Sequence, residues 1–311
     1  MSEGLALAAD SLPASAMFPP DRVPDEVDWG FRVSPPTRSV ESPKLSIVLA
    51  TLNEVENIPT LLREIRLQEL PPFEIIVVDD GSTDGTRERL LDEAGRDPRI
   101  RPIFHDGRQT LVPAHCQGID AARGDYVVVM DADRQHPAKA LPLIVRSLEQ
   151  GAVLAIASRY APGGSPGPRS ALRGAVSRAA ETTAKILVAE ARTVSDPTSG
   201  FYGFRRQVFV PLDPMVEGYE LLPFLLVMCN GFPKREIPYR FEPRRNGESK
   251  IVQKKLDFVV TFLSEMQAIR RWKKLIARRR EETLVARIGS NLSLDRGAPI
   301  SQEHPTGMRG R

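Results

Sequence analysis

A chain of 311 residues with 41% apolar content can bury a sizeable core, and its formal charge of +3 is too small to argue for a nucleic-acid partner. Its two cysteines, Cys116 and Cys229, fit neither a disulfide framework nor a metal-ligand spacing, which predicts buried thiols in a reducing compartment. The longest apolar stretch, "YELLPFLLVMCNGF" from Tyr219, is shorter than the ~20 residues of a membrane span, and the N-terminus lacks the pattern of a secretory leader, so neither a span nor secretion is expected.

Residues 1–43 carry Pro13, Pro19, Pro20, Pro24, Pro35, Pro36 and Pro43 without sustained periodicity, and read as an extended or disordered arm. "KLSIVLATLNE" (44–54) is an apolar strand that ends in polar residues. "NIPTLLREIRLQEL" (57–70) follows with helical spacing at Ile58, Leu61, Leu62, Ile65 and Leu70. The unit repeats: "FEIIVVDDGSTDGT" (73–86) predicts a strand and a turn, and "RERLLDEAG" a helix. A third strand is expected near "IRPIF", a helix over about 113–122, and a strand at "YVVVM". "AVLAIASRY" (152–160) supplies another strand, "APGGSPGP" a loop, and "RSALRGAVSRAAETTAKILVAE" a helix leading to "DPTSGFYGFRR" at 196–206. Strands without alternation, separated by helices, predict an α/β fold whose mostly parallel sheet is covered on both faces.

After "REIPYRFEPRRNGESK" an amphipathic helix is predicted, its apolar stripe running through Val252, Leu256, Val259, Leu263 and Met266. It leads into "RRWKKLIARRR" (270–280), which holds seven of the Lys and Arg. The expected organisation is an arm (1–43), a main domain (44–250), an amphipathic basic helix (251–280) and a disordered tail (281–311). With Trp272 among its cations, the basic helix suits an anionic bilayer surface; a solvated tail or a partner-binding segment is the plainer alternative.

Ligands of parallel sheets bind beyond the carboxyl ends of the strands, where "DD" (Asp79, Asp80) and "DADRQHP" stand. Asp131 and Asp133, two residues apart at a strand end, can face one divalent cation, with Gln135 adding a neutral oxygen. Hard oxygen donors without a His or Cys cluster favour Mg2+ or Mn2+ over zinc; the same pattern also occurs as a solvated turn. Asp79 and Asp80 can accept hydrogen bonds from a base or ribose, or simply cap the following helix. Arg134 is expected to point elsewhere, and His136 with Pro137 to fix the turn.

"LNE", "VVDDGSTDGT", "GDYVVVMDADRQHP", "SRYAPGG", "DPTSGF" and "RRNGESK" together resemble the inverting glycosyltransferases of family 2, and within them the dolichyl- or polyprenyl-phosphate mannosyltransferases, over residues 44–265. The resemblance implies a GT-A (Rossmann-like) catalytic domain that transfers a hexose, mannose from GDP-mannose first, to a polyprenyl phosphate; UDP-glucose is the rival donor. It implies that Asp131, Asp133 and Gln135 hold the cation and that Glu54, Asp79 and Asp80 line the nucleotide pocket. Arg159, Arg173 and Ser177 would contact the diphosphate or acceptor, and Arg244, Ser249 and Lys250 a phosphate of the lipid or donor. Asp133, Arg244 and Lys250 would carry the catalysis. The implied setting is the cytoplasmic face of a membrane, peripherally attached, with room for a separate membrane subunit.

An ionised polyprenyl phosphate needs no strong general base, whereas an alcohol acceptor would need a carboxylate, of which Asp196 is the nearest by motif. The sequence departs from the family at three places. Leu52 replaces an aromatic residue, "QTLVPAH" (109–115) replaces a glycine-containing loop, and Phe224 stands where an acid is common. These departures leave room for a catalytically silent family member that only binds a nucleotide sugar. "QAIRRW" (267–272) resembles a polysaccharide-synthase signature with one residue too many, and reads as the end of the amphipathic helix.

Overall fold

The computed structural model describes residues 43–107, 109–168, 171–212, 218–244 and 261–273. The chain divides into two compact units, Met1–Ile269 and Arg270–Arg311; in the second, the described residues 270–273 are helical. Among its described residues the first unit holds seven strands, β1 (Leu45–Thr51), β2 (Phe73–Asp79), β3 (Ile100–Phe104), β4 (Tyr126–Asp131), β5 (Leu154–Ser158), β6 (Tyr202–Arg205) and β7 (Lys234–Pro238). Its α-helices are α1 (Ile58–Arg66), α2 (Thr86–Arg96), α3 (Leu111–Asp120), α4 (Leu141–Glu149), α5 (Ala171–Leu187) and α6 (Leu222–Met228), followed by α7, which covers 261–269.

The strands form one sheet in the order β3-β2-β1-β4-β6-β5-β7. All pairings are parallel except those of β6, which runs antiparallel to both β4 and β5. Every residue of β1 and β2 is buried, which is why neither strand shows a polar alternation in sequence: both faces are covered. On one face Ile47, Leu49, Ile75, Val77, Val128 and Met130 pack with the apolar stripes of α1 (Ile58, Leu61, Leu62, Ile65) and α4 (Leu141, Ile144, Val145, Leu148). On the other face α3 lies so close that a Cβ at Gly118 would stand 2.4 Å from Cγ1 of Val48, so a larger residue there would push the helix off the sheet.

The strands predicted within 44–54, 73–86, "IRPIF", "YVVVM" and 152–160 and the first three helices are present, with some ends shifted by a few residues. β6, β7, α4 and α6 were not anticipated. The seven residues of α6, inside the apolar stretch from Tyr219, are all buried in the protein, and no helix among the described residues is long and apolar enough to cross a membrane.

The predicted stripe of the C-terminal helix needs correction. Leu263 is 41% exposed, and the buried residues of α7 in the first unit are Phe262, Glu265, Met266 and Ile269. The stripe is shifted by one residue because Phe262 and Ile269, seven apart, share a helix face with Met266, whereas Leu263 lies off it. Val252, Leu256 and Val259 lie outside the described residues.

Candidate functional site

The carboxyl ends of β1, β2 and β4 open into a cleft of about 310 Å³ that is completed by the start of α3, the segments 198–202 and 219–221, Phe241 and Arg244. Seven of the residues proposed from sequence line it: Glu54, Asp80, Asp131, Asp133, Gln135, Arg159 and Arg244.

At the end of β1 the chain turns through Asn53, whose φ of 52° is left-handed, a conformation that asparagine tolerates better than most residues. Its backbone N–H donates to Oγ of Ser82 (2.8 Å), and its Oδ1 accepts the N–H of Thr83 (2.8 Å). Asp84 in turn accepts the N–H of Val55 (3.2 Å) and both polar groups of Thr86. "LNE" and "DDGSTDGT" are therefore one interlocked structure, which explains why both segments are rich in small polar residues. Glu54 emerges from it buried, its Oε2 accepting from Nδ2 of Asn57 (2.6 Å) and its Oε1 from Nη2 of Arg244.

Asp79 and Asp80 part company. Asp79 is not among the residues lining the cleft; its carboxylate accepts from the N–H (3.2 Å) and hydroxyl of Ser82, and burial raises its pKa despite those bonds. Its observed role is the turn rather than a wall of the cleft. Asp80 does line the cleft, and its Oδ1 holds the N–H of Gln109 (2.8 Å) and lies 3.2 Å from Nδ1 of His105. It thereby anchors the unusual 109–115 segment, whose Gln109, Thr110, Leu111, Ala114 and His115 form one wall.

The turn after β4 sorts its side chains by direction. Arg134 takes a left-handed φ of 63° and points away from the cleft, with Nη2 2.5 Å from Oε1 of Glu64 on α1. Asp131, Asp133 and Gln135 turn inward. Asp131 is clamped by an aromatic-lined relay. Burial keeps the Tyr239 hydroxyl protonated, so it donates to Nδ1 of His136 (3.1 Å), and Nε2–H of His136 donates to Oδ2 of Asp131 (3.1 Å). Both imidazole nitrogens are thus spent, and rings of Phe201 and Phe241 each lie 5.3 Å from that of His136. A Cβ at Gly200 would approach Oδ2 of Asp131 to 3.2 Å, so glycine keeps this carboxylate reachable. Gln135 donates through Nε2 to the carbonyl of Glu242 (3.2 Å), which leaves Oε1 as its acceptor atom.

The pKa values of the two carboxylates are shifted in opposite directions. Burial opposes ionisation of Asp131, but the hydrogen bond from His136 overcomes it and holds its pKa low. Asp133 is pushed up to about 6 by burial and by Asp131, with Arg244 (3.8 Å) only partly offsetting them. Among the described residues no three His, Cys, Asp or Glu side chains form a ready-made metal cluster, so any cation would rest on Asp131, Asp133 and neutral oxygens such as Oε1 of Gln135.

Arg159, just beyond β5, grips Asp196: Nε and the backbone N–H reach Oδ2 (2.7 and 2.9 Å), and Nη2 reaches Oδ1 (2.7 Å) and the carbonyl of Thr198 (3.0 Å). Asp196 is fully buried and both its oxygens are occupied, so the carboxylate the sequence offered as a base is a strut for Arg159. Ser177 does not line the cleft; its hydroxyl lies 3.1 Å from that of Tyr160. Arg173 falls within α5, and Ser249 and Lys250 lie outside the described residues.

The cleft also contains groups that the sequence reading did not select: His115, Tyr202 and Glu220. Burial moves the pKa of His115 down to about 4, and raises those of Tyr202 and Glu220 well above their ordinary values. His115 lies in the 109–115 segment that forms one wall of the cleft. Glu220 follows the "GY" at 218 and 219 directly, four residues before Phe224, which sits buried in α6. Glu265 of α7 accepts the N–H groups of Tyr219 (3.3 Å) and Glu220 (2.9 Å) and so fixes this wall.

Comparison with known proteins agrees with this architecture. The model of the family described as "Glycosyl transferase family 2" matches residues 46–211. A dolichol-phosphate mannosyltransferase of Pyrococcus furiosus is 33% identical over 239 residues, 76% of this chain and 66% of that protein, so the chain spans just under two thirds of that relative. A polyprenol monophosphomannose synthase of Mycolicibacterium smegmatis is 32% identical over 74% of this chain and 88% of its own, and the dolichol-phosphate mannosyltransferase of Saccharomyces cerevisiae is 29% identical over 72% and 86%. Among solved structures, glucosyl-3-phosphoglycerate synthase of Mycobacterium tuberculosis, in complex with Mn2+, UDP and glucosyl-3-phosphoglycerate, superposes with a TM-score of 0.54 at 23% identity, covering 72% of this chain and 80% of that one, a likeness of GT-A fold. The chain belongs to glycosyl transferase family 2 and is a glycosyltransferase.

Proposed function

We propose that the chain transfers a hexose, with inversion, from a nucleotide sugar to a polyprenyl phosphate, with GDP-mannose as the leading donor. The observation that carries this reading is a single cleft in which Asp131 and Asp133 stand beside Arg244 and Arg159, the mixture of charges that a departing diphosphate requires. The curated relatives named as mannose synthases of dolichol and polyprenol phosphates support the lipid acceptor and the sugar.

Among the described residues Arg244 lies against both Glu54 and Asp133, and burial together with the neighbouring Asp131 raises the pKa of Asp133. The donor set therefore fits a hard divalent cation, Mg2+ or Mn2+, held by Asp131, Asp133 and Oε1 of Gln135. When bound, such an ion supplies Lewis-acid neutralisation of the leaving diphosphate. Arg244, oriented by Glu54, and Nη1 of Arg159, which takes no part in the Asp196 grip, add fixed positive charge that needs no reorganisation during reaction. Arg173 and Ser177 remain proposed contacts to the diphosphate or acceptor, and Ser249 and Lys250 to a phosphate of the lipid or donor. The acceptor phosphate is already ionised near neutral pH, so its oxygen attacks the anomeric carbon without a base, and Asp196 is engaged in any case. Inversion converts an α-linked donor into a β-linked lipid phosphosugar.

The basic segment at 270–280 would hold the enzyme peripherally on the cytoplasmic face of an anionic membrane, at ~1 kcal/mol per basic residue near the surface. One second reading has a specific basis. Leu52 and the 109–115 wall, where the sequence departs from the pattern that the resemblance implies, line the cleft and leave donor choice open, with UDP-glucose as the alternative donor. Turnover with labelled GDP-mannose and UDP-glucose, each against polyprenyl phosphate in anionic vesicles, decides between them. A mannosyl lipid supports the proposal, a glucosyl lipid replaces its donor, and binding of either nucleotide sugar without any transfer would identify a silent family member.

A further inference from the structure

Among the buried polar side chains that line the cleft without a hydrogen-bond partner among the described residues are the imidazole of His115, at both nitrogens, and the hydroxyl of Tyr202. Their residues are 2% and 1% exposed. A buried donor or acceptor left unpaired weakens the fold, so such groups are retained where something else completes them.

Their position follows from the sheet. Val48 of β1, Val129 of β4 and Tyr202 of β6 stand in one row, and directly paired residues point to one face. Asp131, two residues beyond Val129, shares that face. α3 covers it, with Gly118 against Val48 and His115 one turn earlier, nearer the cleft. Across the sheet, Glu54 and Asp80 lie at the ends of β1 and β2, Asp131 and Asp133 at β4, and Tyr202 one strand further on. If the nucleoside lies toward β2 and the diphosphate at β4, the next group of the donor, the hexose, falls over β6.

The chemistry of the floor matches that order. A phosphate calls for cations, but His115 and Tyr202 are kept neutral by burial, and burial raises the pKa of Glu220 well above its ordinary value. An uncharged set of donors and acceptors suits the hydroxyl groups of a sugar. Resting on the proposed use of a nucleotide sugar, we infer that His115 and Tyr202 form the subsite that hydrogen-bonds the hydroxyls of the transferred hexose and reads its configuration.

Tyr202→Phe is the cleaner variant, because it deletes an unpaired hydroxyl with little change of shape; His115→Asn is the second. Calorimetric affinities for GDP, GDP-mannose and GDP-glucose are compared in wild type and variants. The expected result is unchanged GDP binding, loss of about tenfold in GDP-mannose binding per variant, and a narrowed preference between the two sugars, since one hydrogen bond to a neutral group carries roughly that factor. Melting of Tyr202→Phe should be unchanged or higher. Equal losses for GDP and GDP-mannose, or unchanged sugar binding and preference in both variants, would overturn the inference. Failure of the wild type to transfer sugar while these binding differences hold would instead count against the proposed function alone.

Discussion

Replacing Asp196 with Ala should damage the fold behind the cleft severely. Asp196 is fully buried and takes three hydrogen bonds from Arg159, two at 2.7 Å and one at 2.9 Å, while the Arg159 side chain is only 13% exposed. Removing the carboxylate strands a guanidinium in a dry setting, and breaking such a pair costs about 3–5 kcal/mol. For a folded body of 150–250 residues each kcal/mol moves the melting temperature by about 2–4 °C, so the loss should be about 6–20 °C. The assay is thermal unfolding of wild type, Asp196→Ala, Arg159→Met and the double variant Arg159→Met/Asp196→Leu, at low and high salt. The double variant should recover most of the loss, because two apolar side chains leave no uncompensated charge, and high salt should change little, because the pair is shielded from solvent. A drop of only a degree or two for Asp196→Ala, or a double variant whose loss is the sum of the single losses, would refute the account of Asp196 as the strut of Arg159.

Asp133→Asn should reduce metal-dependent transfer by about 10²–10³-fold, the scale of one lost electrostatic contact to a developing anion, and should raise the Mg2+ or Mn2+ concentration needed for half-maximal rate. Full activity at unchanged metal demand would remove Asp133 from the site. Glu265 has a pKa raised to about 8 by burial, above the ordinary 4.5, so the folded state holds its proton where the unfolded state does not. Stability should therefore fall as pH rises between about 5 and 8, by up to about 1.4 kcal/mol per unit, and Glu265→Gln, which keeps an acceptor for the N–H groups of Tyr219 and Glu220, should flatten that slope in urea midpoints. An unaltered slope would show that Glu265 is not the group responsible.

What was legible in sequence was whatever depended on local pattern. The apolar runs at 45–51, 73–79 and 126–131 announced buried parallel strands, and their polar ends announced the cleft. Distinguishing Asp79 from Asp80 was beyond it, because adjacent residues at a strand end point in opposite directions and only packing decides which one meets the ligand side. The stripe of α7 slipped by one residue for a related reason: Glu265 is charged, so hydropathy assigns it to water, yet backbone N–H groups from a distant segment give it buried partners. His115 carried no motif at all, and its significance comes from lacking partners, a property of the fold.

The reversal of β6 determines much of the chemistry. The strand order places β2 on one side of β1 and β4 on the other, so a crevice opens between their carboxyl ends, as in other open α/β sheets. A parallel strand beside β4 would enter from the opposite edge, and the residues before it would lie far from the cleft. Because β6 is antiparallel, its preceding segment, Asp196 to Gly200, arrives at the edge where β4 and β5 end. That is how Asp196 meets Arg159, how Gly200 comes against Asp131, and how Tyr202 is set next to β4 at the level of Val129. Asp80 and Glu54 come from the βα units that any parallel sheet supplies, whereas the Arg159 strut and the floor under the sugar depend on one strand running the other way.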